Sequence, residues 1–203
     1  MKHIRLQNRG MIAGILISIA ACAYVVCDNP IIGACFFAFG LITICAVQAK
    51  LYTGVIGYVF TNTYGHSALD ILEILFGNII GIFGASLCIK YSRLDDLIGD
   101  KIYAIAEAKL NDSVLSLLLL SILCGICVYI GVETYARHTP TSSIGLFLSV
   151  AVFIICGFEH SIADAFYLIY SNKMFTAQGV LLFVIVLFGN SFGAIFADGY
   201  LEE

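Results

Sequence analysis

An asparagine set between glycines, in the middle of a segment apolar enough to cross a bilayer, occurs twice in this chain. Leu75-Phe76-Gly77-Asn78-Ile79-Ile80-Gly81 returns as Leu187-Phe188-Gly189-Asn190-Ser191-Phe192-Gly193, an offset of 112 residues. At nearly the same offset two other apolar segments are each interrupted, with Ile44-Cys45 ahead of the first interruption and Ile155-Cys156 ahead of the second. A duplicated unit of three spans accounts for both matches. Three is odd, so the second copy must cross the membrane in the opposite sense, the inverted-repeat plan in which broken helices meet near the midplane. The glycines around each asparagine are expected to let helices approach closely, a packing role rather than a chemical one.

Composition supports an integral membrane protein. The 203 residues are 61% hydrophobic and 12% charged, with mean hydropathy +0.99, which leaves no polar shell for a soluble domain. At about 20 residues per crossing, the chain has room for six spans and short loops. The expected fold is all-α and polytopic, an inverted repeat of three plus three helices with the second and fifth broken. Residues 1–203 then form a single membrane domain: repeat one at about 10–90, an amphipathic connector at about 91–112 and repeat two at about 113–197.

The first span, 10–27, follows Lys2, Arg5 and Arg9 as a signal peptide would. It reads as a retained helix, because equally apolar segments follow it and no small-residue cleavage site precedes a soluble domain. Asp28-Asn29-Pro30 turns the chain. The second span covers 31–47, breaks at Gln48-Ala49-Lys50-Leu51-Tyr52-Thr53-Gly54 and resumes over 55–60. The third covers 69–89, the fourth 114–132 and the sixth 177–196, with a polar connector at 133–143. Between the third and fourth, Arg93, Asp95, Asp96, Asp100, Lys101, Glu107 and Lys109 alternate with isoleucines at helical spacing, an interfacial amphipathic pattern.

The fifth span is interrupted by Cys156-Gly157-Phe158-Glu159-His160-Ser161-Ile162-Ala163-Asp164. Two carboxylates and an imidazole at that depth are functional candidates by default, and a broken helix is tolerated there only if its freed backbone groups are buried in protein or line a cavity. A lone buried histidine is ordinarily an inert, hydrogen-bonded core residue. The flanking acids and the helix break favour a pore role for His160, whose unperturbed pKa would let it give up or hold a proton.

These motifs together resemble the formate/nitrite transporter family, and the resemblance runs through all six spans. Gly157-Phe158-Glu159-His160-Ser161-Ile162-Ala163 is close to that family's Gly-Phe-Glu-His-x-Val-Ala-Asn signature; Ala49-Lys50-Leu51-Tyr52-Thr53-Gly54 is similar to its Ala-Glu-Leu-Phe-Thr-Gly loop; Ile122-Leu123-Cys124 is similar to its Ile-Leu-Cys-Asn element. The resemblance implies an aquaporin-like bundle, a homopentamer with one pore per protomer, small monovalent anions as substrates and no cofactor. It implies a prokaryotic inner membrane with both termini cytoplasmic; the lysines and arginines of the loops do not decide the orientation by themselves. It makes His160 the central pore histidine, Thr53 its partner and Lys109 the residue that draws anions into the outer vestibule. Phe37, Leu41, Leu51, Tyr52, Val128 and Phe153 then form two apolar constrictions. Asp164, Gly125 and Val55 stand where the family pattern has asparagine, and Lys50 where it has glutamate. With those departures, Asp164 is expected to pair with Lys50 or with His160, and Glu159 to satisfy neighbouring helices.

Two other readings stand beside this one. A neutral-solute pore shares the inverted repeat, but the Asn-Pro-Ala half-helix motifs are absent. A membrane redox or metal protein would use Cys124-Gly125-Ile126-Cys127 with His160; a lone CxxC is weak evidence, and all eight cysteines lie within or beside apolar segments, where cysteine packs as a small hydrophobe. Nucleic-acid binding is not expected, since there is no basic stripe and the net charge is −4. No nucleotide-binding glycine loop is present to support ATP-driven transport.

Overall fold

The computed structural model describes residues 2–61, 63 and 65–201, and among these the regular structure is entirely helical. In chain order the helices are α1 (Lys2–Val26), α2 (Pro30–Ala46), α3 (Tyr52–Val55), α4 (Ala68–Lys90), α5 (Asp95–Leu110), α6 (Val114–Ala136), α7 (Ser142–Ile155), α8 (Ser161–Tyr170) and α9 (Ala177–Leu201). Helices α1, α4, α6 and α9 are long and apolar enough to cross a membrane; α2, α7 and α8 are shorter apolar helices. The interruptions expected in the second and fifth spans are the gaps between α2 and α3 and between α7 and α8.

Local chemistry sets the helix starts. Asn29 Oδ1 accepts the N–H groups of Ile31 (2.9 Å) and Ile32 (3.2 Å), and Pro30, which has no N–H to leave unpaired, opens α2. Ser67 and Asp70 cap α4 reciprocally, each side chain accepting the other's backbone N–H. Outward-facing Phe36, Phe39, Phe76 and Phe188 are more than half exposed, a surface suited to lipid rather than water.

Glycines of the repeated motif, and glycines of the helices that face it, bring backbones into contact. On α1 against α4, a Cβ added at Gly14 would lie 2.1 Å from Asn78 O, and one at Gly81 would lie 2.1 Å from Met11 O. On α6 against α9, Gly125 and Gly193 stand in the same relation to Asn190 O (2.2 Å) and Ile122 O (2.1 Å). Backbone atoms cannot swing aside as a side-chain tip can. Gly125→Asn, which restores the family residue, is therefore expected to destabilise the fold by at least about 1–3 kcal/mol through overpacking, seen as a lower unfolding temperature in detergent.

Four boundaries differ from the sequence-based expectation. Helix α1 begins at Lys2 rather than near 10, because its first turns pack on α4: Lys2 Nζ lies 2.7 Å from Asp70 Oδ2, and Gln7 donates to the Glu73 carboxylate. After the first break the helix restarts at Tyr52, earlier than 55, and passes at Ile56 into a 3-10 turn, Ile56–Val59. Helix α6 continues through Glu133, assigned above to a connector; its carboxylate accepts the Tyr58 hydroxyl at 2.9 Å. Helix α9 runs past 196 to Leu201, anchored by buried Asp198, which accepts the Tyr129 hydroxyl at 2.8 Å.

Candidate functional site

Each interruption opens with a residue in the left-handed region, Gln48 (φ 57°) after α2 and Gly157 (φ 68°) after α7. That conformation turns the chain out of a helix and stops it. Beyond the turn, several backbone groups are buried without helical partners. The asparagines of the repeated motif supply them. Asn78 Nδ2 donates to Gly10 O and Lys50 O, each at 2.9 Å, and its Oδ1 accepts Tyr52 N–H at 2.9 Å. Asn190 Nδ2 donates to Ser121 O and Glu159 O, each at 2.8 Å, and its Oδ1 accepts Ser161 N–H at 2.8 Å. Each asparagine thus ties its own break to the long helix alongside, bonding one carbonyl of the break, one carbonyl of that helix and the first amide of the restarted helix.

So held, the two breaks present Thr53 and His160 to one another. Thr53 Oγ1 lies 2.9 Å from His160 Nε2, and the two residues are 1% and 2% exposed. His160 is also the N-cap of α8: its Nδ1 accepts Ala163 N–H at 3.1 Å. An acceptor nitrogen carries no proton, so the ring proton is on Nε2 and points toward Thr53. Protonating Nδ1 would break the cap. The geometry therefore holds the imidazole neutral, as a hydrogen-bond donor.

Aromatic and aliphatic residues surround this contact. The Phe153 ring stacks on the His160 ring (centroids 5.6 Å apart, planes 12° apart) and meets Phe37 edge-on at 6.3 Å. Leu41, Leu51, Tyr52 and Val128 are also buried, and Tyr52 Oη lies 2.8 Å from Ser191 Oγ. The six residues assigned to constrictions are thus all interior, and four of them, Phe37, Tyr52, Val128 and Phe153, line neither of the two cavities that flank the site.

One cavity, of about 370 Å³, is bounded by Leu41, Lys50, Leu51, Gly54, Val132 and His138. The other, of about 130 Å³, is bounded by Tyr24, Lys109, Phe158, His160, Asp164 and Tyr167. Lys50 N–H donates to Arg9 O at 3.2 Å, which places the first cavity beside the N-terminal part of α1. Tyr24, in the wall of the second, is fifteen residues further along that helix, roughly 22 Å at 1.5 Å per residue. The cavities thus lie toward opposite ends of the bundle and back onto the Thr53–His160 contact.

The charged residues are placed differently from expectation in one respect. Asp164 pairs with neither Lys50 nor His160: its Oδ1 is 2.9 Å from Lys109 Nζ, and the same ammonium donates to Glu159 Oε2. Lys50 lines the other cavity, out of reach. Lys109 does line a cavity, yet its side chain is only 16% exposed and is held between two carboxylates that are 7% and 2% exposed. Removing one partner from a buried ion pair costs about 3–5 kcal/mol. Lys109→Met is expected to lower stability by an amount of that order, and Asp164→Asn in the same chain is expected to recover part of it, both read from thermal unfolding.

Sequence reasoning missed the two asparagine clamps, having assigned their motif to packing. The signal was available: an amide side chain is costly in the middle of a span, and both copies sit at nearly the same offset as the two breaks. Cys124 and Cys127 lie one turn apart on α6, and among the described residues no group of three or more His, Cys, Asp or Glu could hold a metal ion.

Two interrupted helices clamped in matching fashion, meeting at a buried contact inside a lipid-suited helical shell, define a polytopic membrane protein of the channel and transporter type. Residues 1–201 match the family model described as Formate/nitrite transporter, and the chain belongs to that family. The formate channel FocA of Escherichia coli (strain K12) is 26% identical over 175 residues, 76% of this chain and 61% of FocA; formate channel FocB of the same strain is 25% identical over 176 residues, covering 77% and 62%. The chain thus spans less than two thirds of the length of these curated relatives. Among solved structures, a pentameric formate channel with formate bound superposes with a TM-score of 0.76 at 20% identity, covering 98% of this chain and 94% of that one. An FNT family ion channel gives a TM-score of 0.78, also at 20% identity, covering 98% and 88%.

Proposed function

We propose that this chain is a channel for small monovalent anions of weak acids, such as formate, nitrite or hydrosulfide, with passage controlled at His160 and linked to protons. The observation that carries this reading is the Thr53–His160 contact, a single hydrogen bond between two cavities that lie toward opposite ends of the bundle. The formate channels among its relatives support the substrate class. A single membrane domain over 1–203, a homopentamer with one pore per protomer, and a prokaryotic inner membrane with both termini cytoplasmic complete the proposal.

Charge energetics explain the arrangement. An unpaired anion in an apolar constriction is expensive, whereas its neutral conjugate acid crosses far more easily. The Nε2–H of His160 gives the anion a donor at the narrowest point once Thr53 yields it. The N-terminal end of α8, with its positive dipole end at His160, adds further attraction. Leu41 and Leu51, in the wall of the first cavity, and the buried Phe37, Tyr52, Val128 and Phe153 are assigned to the apolar constrictions that exclude water and hydrated ions.

The test is flux into proteoliposomes containing the purified chain, followed by stopped-flow light scattering for formate, nitrite and hydrosulfide across a range of pH. Selective flux that rises toward acid is expected. Passage of neutral solutes such as glycerol with no anion flux would replace this reading with the neutral-pore one.

A further inference from the structure

Glu159 and Asp164 share one counter-charge. Lys109 donates to both, and if both carboxylates were ionised the cluster would hold a net negative charge in the wall beside His160, where an anion must pass. Asp164 Oδ2 is buried and, among the described residues, meets no hydrogen-bond donor. An ionised carboxylate leaves such an oxygen only at a substantial cost. The other titratable groups around the cluster offer no second cation: Cys124 from α6, Tyr167 from α8, and Tyr24 and Cys22 from α1. His160 cannot serve either, since its Nδ1 is occupied by Ala163 N–H.

We propose that Glu159 and Asp164 form a proton-binding site, holding one proton between them against Lys109, and that this proton accompanies the weak-acid anion past His160. The second half of the statement rests on the channel reading above; the first does not. With one proton the cluster is neutral, and Asp164 Oδ2 becomes a hydroxyl able to donate. As the anion reaches the wall of the second cavity, the carboxyl O–H bond breaks and an O–H, or for hydrosulfide an S–H, bond forms on the substrate. The neutral acid crosses the apolar contact and the cluster is left negative. Water in the second cavity returns the proton. An asparagine at 164, as in the family pattern, supplies no such acid, so Asp164 gives this chain a proton donor of its own.

The site is tested by infrared difference spectroscopy of the purified chain in lipid through a pH titration, with flux measured on the same samples. A protonated-carboxyl C=O stretch is expected near neutral pH, absent from both Asp164→Asn and Glu159→Gln, because either variant leaves one carboxylate ion-paired to Lys109. Comparison with the variants separates this band from those of other buried acids such as Asp70 and Asp198. Asp164→Asn is also expected to lose the acid-side rise in flux. A band of equal intensity in all three proteins, or none in the wild type at neutral pH, overturns the site even if anion flux is normal. A band that behaves as expected with no flux of any anion leaves the proton-binding site standing and removes the channel reading along with the proton's part in it. If Asp164→Asn fails to fold, Glu159→Gln alone decides the assignment.

Discussion

Replacing Asn190 by alanine is expected to be among the most destabilising single substitutions in this chain. The side chain is fully buried and bonds three backbone groups, Glu159 O and Ser161 N–H at the second break and Ser121 O on α6. Interhelical hydrogen bonds within membranes average only about 0.6 kcal/mol each, which sets a floor of about 2 kcal/mol for three. A buried group left with no partner costs about 1–3 kcal/mol, and the alanine methyl offers none, so the upper end is several times the floor. Asn190→Asp is the sharper variant, because it keeps the acceptor for Ser161 N–H but turns an oxygen toward two carbonyl oxygens. Thermal unfolding in detergent should show both variants well below the wild type, with Asn78→Ala matching Asn190→Ala. A shift no larger than that of a lipid-facing control would mean that the breaks are not held by these asparagines.

The second large effect is on flux and leaves the fold in place. His160→Asn retains a good N-cap, since the asparagine Oδ1 can accept Ala163 N–H as the imidazole Nδ1 does, and exchanges among good caps cost little. What is lost is the ring: its Nε2 donor to the pore and its stack on Phe153. A hydrogen bond to a charged partner contributes about 1.5–3 kcal/mol. Formate or nitrite flux is therefore expected to fall roughly 10- to 100-fold at every pH, with unfolding temperature and oligomer size nearly unchanged. Flux within error of the wild type would remove His160 from the path.

The breaks were legible in the sequence because they are expensive. A lysine at 50 and three ionisable residues at 159–164 cannot face lipid, so the interrupted apolar runs located both gaps and the resemblance supplied the pairing of Thr53 with His160. Close helix contact at the glycines could also be read, because a residue without a Cβ in a repeated motif has few other uses in a span. What could not be read was which carboxylate meets which cation. Asp164 is closer in sequence to His160 than to Lys109, and only the packing of α5 against α8 brings the lysine over. The asparagine clamps were obscured for a related reason: their targets lie 26 to 69 residues away, and a side chain's partners across the bundle leave no periodic trace.

Both clamps are internal to their own half of the chain. Among the described residues, the side chain of Asn78 bonds groups at 10, 50 and 52, and that of Asn190 groups at 121, 159 and 161. The first gap can therefore be closed without any residue of the second half. The Thr53–His160 contact joins the two halves and must wait for the later one. Each half thus holds its own break, and the contact proposed to control passage exists only where the two halves meet.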